Sequence, residues 1–263
     1  MKPRLIVVCG PTAVGKTAVS IDLAKDFGTE IISADSRQFY EELKIGTAPP
    51  SAEELPEVHH HFIGNKTLDE DFSAGEFAEV ALKKIAELHQ QNPLVFMVGG
   101  SGLYIKAVCE GLDEFPETAP EIRGQLNKEF AEKGIEALQQ KLKKLDPEHY
   151  KKVDLQNPHR LIRALEVCIA TGKPYSTFQS GEKQERDFNI LKIGLELSRE
   201  ELYHRINKRV DAMMKAGLLE EAKSVQTFKN KNALQTVGYK ELFDYLEGKT
   251  SLEEAVEDRK SVV

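Results

Sequence analysis

The chain has 263 residues, of which 40% are hydrophobic and 30% are charged, and its formal net charge is −7 at pH 7. No apolar run approaches the roughly 20 residues that a membrane-spanning helix requires, and the acidic balance argues against a uniformly basic nucleic-acid-binding protein. Three widely spaced cysteines, Cys9, Cys109 and Cys168, fit neither a disulfide framework nor a metal-binding quartet. Together with an N-terminus that lacks a signal-peptide pattern, they predict reduced thiols and a cytoplasmic protein.

A short apolar run, residues 5–9, leads directly into a glycine-rich turn that fits the pattern G-x-x-x-x-G-K-[ST]. Such a turn presents backbone N–H groups at the start of a helix, where the helix dipole favours a bound phosphate. The predicted diphosphate-binding residues are Gly10, Pro11, Thr12, Ala13, Val14, Gly15, Lys16 and Thr17. Lys16 supplies positive charge for the terminal phosphate, and the Thr17 hydroxyl is the predicted Mg²⁺ ligand. A helix is expected over residues 18–27, with Val19, Leu23 and Phe27 on one face.

The second predicted strand, residues 29–34, ends at Asp35. Because ligands bind at the carboxyl ends of parallel strands in an open α/β sheet, Asp35 is expected in the same crevice as the glycine-rich turn. One interpretation of this residue is a general base or a metal-binding carboxylate. The other is a turn or capping role at the end of a strand.

Three consecutive histidines, His59, His60 and His61, raise the question of a metal site. Neighbouring side chains of an extended segment point to opposite faces, so the three cannot all reach one ion. The sequence therefore does not predict a metal site at this position.

A helix that begins with a capping box, Ser73 and Glu76, leads to the third predicted strand, residues 93–98. This strand ends in Gly99 and Gly100 rather than in the aspartate that is typical of nucleotide-hydrolysing P-loop motors. The two glycines permit a ligand to approach the backbone closely, and the hydroxyl of the following Ser101 can reach that ligand. A plain tight turn is the alternative interpretation.

A block of helical pattern separates the third strand from the last one. Helices are predicted over residues 120–133, 135–145 and 157–171, before strand character returns at residues 189–195. We therefore predict an α/β fold in which helices flank a P-loop NTPase-like parallel sheet, with an inserted helical subdomain. The predicted boundaries are residues 1–114 and 188–263 for the catalytic core and residues 115–187 for the insert.

Two arginine pairs in predicted helices are candidates for binding anions. Arg160 and Arg163 lie one turn apart in the last helix of the insert, where solvated surface charge is the alternative interpretation. Arg205 and Arg209 lie four residues apart in a helix that follows Ser198, its predicted N-cap. Either of them could reach a bound diphosphate, and the sequence does not choose between the two.

Six motifs, in the same order and over nearly the whole chain, resemble those of the tRNA dimethylallyltransferase (tRNA isopentenyltransferase) family. They are residues 10–17, Asp35-Ser36-Arg37-Gln38, Gly46-Thr47-Ala48, and residues 99–104, 158–166 and 237–241. The resemblance implies transfer of a dimethylallyl group from dimethylallyl diphosphate to N6 of the adenosine just 3′ of the anticodon, with Mg²⁺. The implied partners are therefore dimethylallyl diphosphate and the anticodon stem-loop of tRNA, and we expect the chain to act as a monomer, away from membranes.

The resemblance also implies roles for individual residues. Asp35 matches the general base, Ser101 lies beside the target nucleotide, and Arg209 is taken as the arginine that stabilises the leaving diphosphate. The target base would have to leave the anticodon-loop stack to enter the crevice. The implied tRNA contacts are Asp35, Ser36, Arg37, Gln38, Ser101, Arg123, His159, Arg160, Leu161, Ile162, Arg163, Thr236, Gly238, Tyr239 and Lys240.

Members of that family usually continue with a helix rich in lysine and arginine, which is absent after residue 257 here. Because each lost phosphate contact weakens RNA binding, we expect this chain to fold and bind the diphosphate but to modify tRNA poorly.

Two other functions stay open from the residues alone. One is a P-loop small-molecule kinase that uses ATP, with Asp35 as its base and Arg205 and Arg209 as lid arginines. The other is a non-catalytic, nucleotide-dependent module that binds RNA through the basic insert.

Overall fold

The computed structural model describes residues 2–261, and its framework is a five-stranded sheet. The strands are β1 Arg4–Cys9, β2 Ile31–Ser33, β3 His60–His61, β4 Leu94–Val98 and β5 Asn189–Gly194. Their order is β3-β2-β4-β1-β5, and every neighbouring pair is parallel. The predicted α/β fold with a parallel sheet is confirmed.

The central strands are buried on both faces, which explains their unbroken apolar sequences. Leu5, Val7 and Val8 of β1 have 0% exposed surface, as do residues 95–97 of β4. The edge strand β3 is different, since it has only two residues. The sequence analysis missed β3 because so short a segment shows no alternation of apolar and polar residues.

Helices flank the sheet and build the insert. Their bounds are α1 Lys16–Asp26, α2 Ala74–His89, α3 Gly102–Glu110, α4 Pro120–Lys133, α5 Ile135–Leu145, α6 Pro147–Tyr150, α7 Pro158–Thr171, α8 Arg199–Lys215, α9 Leu218–Ser224, α10 Tyr239–Leu246 and α11 Leu252–Ser261. Short 3₁₀ turns occur at Tyr175–Phe178 and Gln226–Phe228. Within residues 2–261, none of these helices is both long enough and apolar enough to cross a bilayer.

The face of α1 that packs on the sheet contains small side chains. Val19 and Phe27 are 37% and 49% exposed, whereas Ser20, Ile21 and Ala24 are buried. The small side chains of Ser20 and Ala24 fit a helix that packs closely on the sheet, and the Ser20 hydroxyl satisfies itself by donating to the Lys16 carbonyl at 2.7 Å. Of the three large apolar residues that the sequence places on one face, Leu23 packs against the core, and the fully buried positions belong to Ser20, Ile21 and Ala24.

The capping box predicted at the start of α2 is confirmed. The Glu76 N–H donates to Ser73 Oγ at 3.2 Å, and the Ser73 N–H donates to Glu76 Oε2 at 2.7 Å. Two of the free N–H groups at the start of the helix are thereby satisfied. The helix then packs Phe77, Ala81 and Ile85 into the main core.

The described chain divides into two compact units, one formed by residues 112–184 and the other by the rest. The 112–184 unit contains α4 to α7 and has its own core, made of Leu126, Leu138, Leu142, Leu161, Ile162, Ala164 and Leu165. Helices α4 and α5 have the bounds that the sequence predicts. Helix α7 starts after Asn157, whose side chain accepts the Arg160 N–H at 3.2 Å. The sheet and the glycine-rich turn belong to the other unit.

Candidate active site

The glycine-rich turn connects β1 to α1 and requires its glycines. Gly10 has φ 153° and Gly15 has φ 104°, conformations that residues with a side chain rarely adopt. A Cβ on Gly10 would lie only 2.6 Å from the carbonyl oxygen of Leu195, so the turn packs directly against the backbone after β5. This close packing places the N-terminus of α1, and with it the backbone N–H groups, at the edge of the sheet.

Lys16 spans the inside of the turn. Its Nζ donates to the carbonyl oxygens of Gly10 at 3.0 Å and Pro11 at 2.9 Å. Burial lowers the pKa of Lys16, and the nearby Arg209 lowers it further, whereas Asp35 raises it. An anionic ligand in the turn would offset both of these unfavourable effects, as expected for a phosphate-binding lysine.

A cavity of about 370 Å³ opens over this turn, and we name it the P-loop cavity. Besides the turn itself, its lining includes Asp35, Gln38, Arg205 and Arg209. Thr17 and Asp35 both line it, and hydroxyl and carboxylate oxygens are the ligands that Mg²⁺ prefers. The residues present therefore fit a magnesium ion.

A second cavity, of about 340 Å³, lies along helix α8, and we name it the α8 cavity. Ile206, Val210 and Met213 give it an apolar wall. Four residues line this cavity and the P-loop cavity alike, namely Thr12, Asp35, Thr47 and Arg209. The Asp35 carboxylate thus stands where a site for phosphates meets a site with an apolar wall.

The turn after β2 holds Asp35 in place. Asp35 Oδ1 accepts the Arg37 N–H at 3.0 Å, which is the turn role that the sequence left open. The Gln38 side chain donates to the carbonyl oxygens of Thr47 and Ala48, at 3.2 and 3.1 Å. Gln38 therefore ties the 46–48 segment to the end of β2, so that Thr47 also reaches the crevice.

The turn after β4 meets the turn after β2. A Cβ on Gly99 would lie 2.2 Å from the Ala34 carbonyl oxygen, so only glycine allows the two strands to end side by side. The Ser101 hydroxyl accepts the Ser36 N–H at 2.8 Å and donates to Ser36 Oγ at 3.0 Å. It does not cap its own helix α3, and its polar contacts instead join the two turns beside Asp35.

The two arginines of α8 have different environments. Arg209 is half-buried and lines both cavities, and burial lowers its pKa while Asp35 raises it. Arg205 is 44% exposed at its side chain and donates to Glu201 Oε1 at 2.7 Å. It lines only the P-loop cavity of the two. This placement favours Arg209 as the group that faces a reacting diphosphate.

Arg259 is a candidate that the sequence analysis missed. It is 7% exposed and lines the α8 cavity, where its Nη2 donates to the Gly46 carbonyl at 3.2 Å. Its Nη1 is buried and has no hydrogen-bond partner among the described residues. A Cβ on Gly238 would lie 1.4 Å from Nη1, so this glycine makes room for the guanidinium. No motif surrounds Arg259, and so the sequence carried no signal for its burial.

Tyr239 and Glu221 support the loop that carries Thr47. The Glu221 carboxylate accepts the N–H groups of Lys44, Ile45 and Gly46, at 2.8, 2.7 and 2.8 Å. It also accepts the Tyr239 hydroxyl at 2.6 Å. Burial, and then the bond to Glu221, raise the pKa of Tyr239 far above its usual range, so the hydroxyl keeps its proton.

Tyr239 and Gly238 were predicted to contact tRNA. The burial of the Tyr239 side chain corrects that part of the prediction. Tyr239 has 0% exposed surface, and Gly238 is buried against Arg259. Both residues act within the protein, as supports of the α8 cavity. Thr236 is half-buried and lines the same cavity, and Lys240 is exposed.

We expect Tyr239→Phe to lower the free energy of unfolding by about 1–3 kcal/mol, because it removes the donor to a carboxylate in a buried network. Tyr245→Phe, on the same helix but half-buried, serves as the control and is expected to cost no more than about 0.5 kcal/mol. Urea unfolding of both variants is the measurement. Equal losses in the two variants would contradict the role assigned to the Tyr239 hydroxyl.

The 112–184 unit contains the remaining predicted tRNA contacts. Leu161 and Ile162 are 0% and 3% exposed in its core, so their side chains cannot contact RNA and that part of the prediction is corrected. They were included because they sit inside a matched motif, which lies on helix α7 and turns one face of that helix into the core. His159 and Arg160 are exposed. They are the residues of this motif that offer side chains most openly to solvent.

Arg123 and Arg163 converge on one buried carboxylate, that of Glu166, whose side chain is 2% exposed. Arg123 binds it through two nitrogens, at 2.5 and 2.8 Å, and Arg163 Nη1 lies 3.7 Å away. The Arg163 guanidinium also lies over the Phe115 ring, 5.6 Å from its centroid. Both arginines are therefore oriented by the protein while remaining 53% and 39% exposed at their side chains.

Comparison with known proteins decides the family. The family model described as IPP transferase matches residues 38–262. The chain belongs to the IPP transferase family. The matched region begins at Gln38, the residue that ties the 46–48 segment to β2. It includes the 112–184 unit and helix α8.

Relatives in the IPP transferase family match along almost the whole chain. A tRNA dimethylallyltransferase of Christiangramia forsetii is 55% identical, over 99% of this chain and 86% of the relative. One of Flavobacterium johnsoniae is 51% identical, over 97% of this chain and 85% of the relative. These identities set aside the small-molecule kinase alternative.

Solved structures agree with the family and with the P-loop fold. The full-length tRNA isopentenylpyrophosphate transferase of Bacillus halodurans superposes with a TM-score of 0.70 at 40% identity, covering 99% of this chain and 82% of that one. A eukaryotic dimethylallyltransferase, described as acting on tRNA, gives a TM-score of 0.79 at 26% identity, covering 98% and 66%. The predicted family and fold class are confirmed.

Proposed function

We propose that this chain transfers a dimethylallyl group from dimethylallyl diphosphate to N6 of the adenosine 3′ of the anticodon in tRNA. The observation that carries the proposal is the position of Asp35, which lines both the P-loop cavity and the α8 cavity. A transfer reaction needs a base where the acceptor and the leaving group meet. Membership of the IPP transferase family supports the same reaction.

In the proposed reaction, the N6 amine attacks C1 of the dimethylallyl group. The C1–O bond breaks, and its electron pair leaves with the diphosphate. Asp35 accepts the proton that N6 loses as the new C–N bond forms, so that atoms and charges balance. An adenine amine is a poor nucleophile, and a positioned carboxylate is therefore an effective aid.

The leaving diphosphate is stabilised by the positive groups of the crevice. The N–H groups of the turn and Lys16 face the phosphates, and Arg209 lies where the two cavities meet. Arg209 and Arg259 repel each other, which contributes to the lowered pKa of Arg259 behind the larger effect of burial. A buried and a half-buried cation that repel each other are better accommodated once an anion lies between or beside them.

Mg²⁺ is part of the proposal, with Thr17 as the residue that would hold it at the diphosphate. When bound, the ion supplies further positive charge to the phosphate oxygens. The apolar wall of Ile206, Val210 and Met213 suits the dimethylallyl group, and it keeps water away from C1.

For tRNA, we propose that the target adenosine leaves the loop stack and enters beside Ser101 and Ser36. In the unit that holds the sheet, the proposed tRNA contacts are Arg37, Gln38, Thr236 and Lys240. In the 112–184 unit, they are His159, Arg160, Arg123 and Arg163. We propose that the enzyme acts as a monomer, because one chain supplies every group named here. Its proposed location is the cytoplasm.

Arg160→Ala is expected to weaken tRNA binding and to reduce the slope of log Kd against log salt by about 1, as for loss of one phosphate contact. Lys128→Ala is the matched control, because Lys128 is also exposed in the 112–184 unit, 78% at its side chain. Binding is measured for both variants over a series of salt concentrations. An unchanged slope for Arg160→Ala would contradict the proposed contact.

The function is tested by incubating the chain with unmodified tRNA, Mg²⁺ and labelled dimethylallyl diphosphate, followed by nucleoside analysis. Label on N6 of the adenosine 3′ of the anticodon is the expected result. Label on another nucleoside, or tRNA that stays unlabelled while the diphosphate binds, would overturn the proposal.

A further inference from the structure

A second cluster of chemically active side chains lies at the edge of the sheet, on β3 and the segment before β2. Ile31 pairs with His60 and Ile32 pairs with His61, in parallel register. Because side chains alternate along a strand, His59 and His61 share the face opposite to His60. Glu30, one residue before Ile31, lies on that same face.

The three side chains converge. Glu30 Oε2 and His61 Nε2 are 2.6 Å apart, and the rings of His59 and His61 are 4.4 Å apart between centroids, at 80°. One ligating atom from each of the three residues can be chosen so that all lie within 4.8 Å of one another. Two ligands of one tetrahedral zinc ion are about 3.4 Å apart, given bonds of about 2.0–2.1 Å. Small side-chain rotations therefore bring all three onto one ion.

The charges around the cluster are mixed. The Glu30 carboxylate contributes an anionic oxygen, and Lys84 is a positive group near His61. The charge of Lys84 is partly compensated by its ion pair with Glu87. His59 is exposed, so an ion can reach the cluster from solvent.

We propose that Glu30, His59 and His61 form a binding site for a divalent transition-metal cation of the zinc class. Two imidazoles and one carboxylate supply three protein ligands, and a fourth position stays open to water. This donor set differs from the hydroxyl of Thr17, an oxygen donor of the kind that suits Mg²⁺. The sequence analysis considered only the three consecutive histidines. The structure adds the carboxylate of Glu30, which lies beside His59 and His61.

A bound ion would stabilise the short edge strand β3. Strand β3 has two residues at the edge of the sheet, and it ends the long connection that carries Thr47 to the crevice. A metal bridging Glu30 to His59 and His61 ties this connection to β2. Binding to the folded chain alone raises its stability, by mass action.

The test is titration of Zn²⁺ into the tag-free full chain, with Mg²⁺ in excess to occupy oxygen-only sites, followed by calorimetry. We expect one Zn²⁺ per chain and an increase in Tm. Co²⁺ in place of Zn²⁺ is expected to give the visible absorption of a low-coordinate nitrogen and oxygen site. His59→Ala and Glu30→Gln are each expected to lower Zn²⁺ affinity by about tenfold or more.

His60→Ala is the matched control, because the His60 ring bonds the Val58 carbonyl at 2.8 Å and points to the other face. It is expected to keep the affinity of the wild type. No saturable Zn²⁺ binding, or binding that His59→Ala and Glu30→Gln leave unchanged, would overturn the proposal and leave a simple His61–Glu30 ion pair. Glu30 and His59 are at the surface, so these two variants are informative even where His61→Ala unfolds the edge.

Discussion

Replacing Asp35 by asparagine is expected to lower the rate of dimethylallyl transfer to tRNA by about 10²- to 10⁴-fold. Asparagine keeps the shape of the side chain and an oxygen that can accept the Arg37 N–H, now at 3.0 Å, so the turn after β2 is retained. The variant loses the negative oxygen that takes the proton from N6. Dimethylallyl diphosphate is expected to bind still, because the N–H groups of the turn and Lys16 are unchanged.

Asp22→Asn is the matched control, since Asp22 is exposed on α1 and lines neither cavity. Single-turnover transfer with saturating diphosphate is measured for both variants, together with the Kd of the diphosphate. An Asp35→Asn enzyme that keeps more than about a tenth of the wild-type rate would contradict the general-base role. Loss of diphosphate binding in step with the rate would assign Asp35 to the ion or the diphosphate instead.

The second large effect is expected at Arg209. Arg209→Gln is predicted to lower kcat/KM for dimethylallyl diphosphate by about 10²- to 10³-fold, since it removes a half-buried cation that lines both cavities and that we propose to stabilise the leaving diphosphate. In a crevice shielded from water, this charge acts more strongly on the leaving group than an exposed one.

Arg205→Gln is the comparison for Arg209→Gln. Arg205 is 44% exposed and already paired with Glu201, so its loss is expected to change kcat/KM by less than about tenfold. Both arginines lie on helix α8, so the two variants compare side chains on the same helix. A larger loss for Arg205→Gln than for Arg209→Gln would reverse the assignment.

The sequence by itself determined the features that depend on neighbouring residues in the chain. The glycine-rich turn, the capping box at Ser73 and Glu76, the buried strands β1 and β4, and the bounds of α4 and α5 are each written in a local pattern. Residues close in sequence constrain one another through backbone hydrogen bonds and periodicity, so these features need no knowledge of the rest of the fold. The order of the six motifs along the chain also indicated the family from the sequence alone.

Only the tertiary structure decided which distant side chains meet. It separated Arg209 from Arg205 by burial, placed Arg259 beside Gly46, and put Leu161 and Ile162 in a core. It also joined Glu30 to His59 and His61 through the pairing of β2 with β3. These contacts arise from strand register and helix packing across long stretches of chain, and no local pattern in a single sequence encodes them.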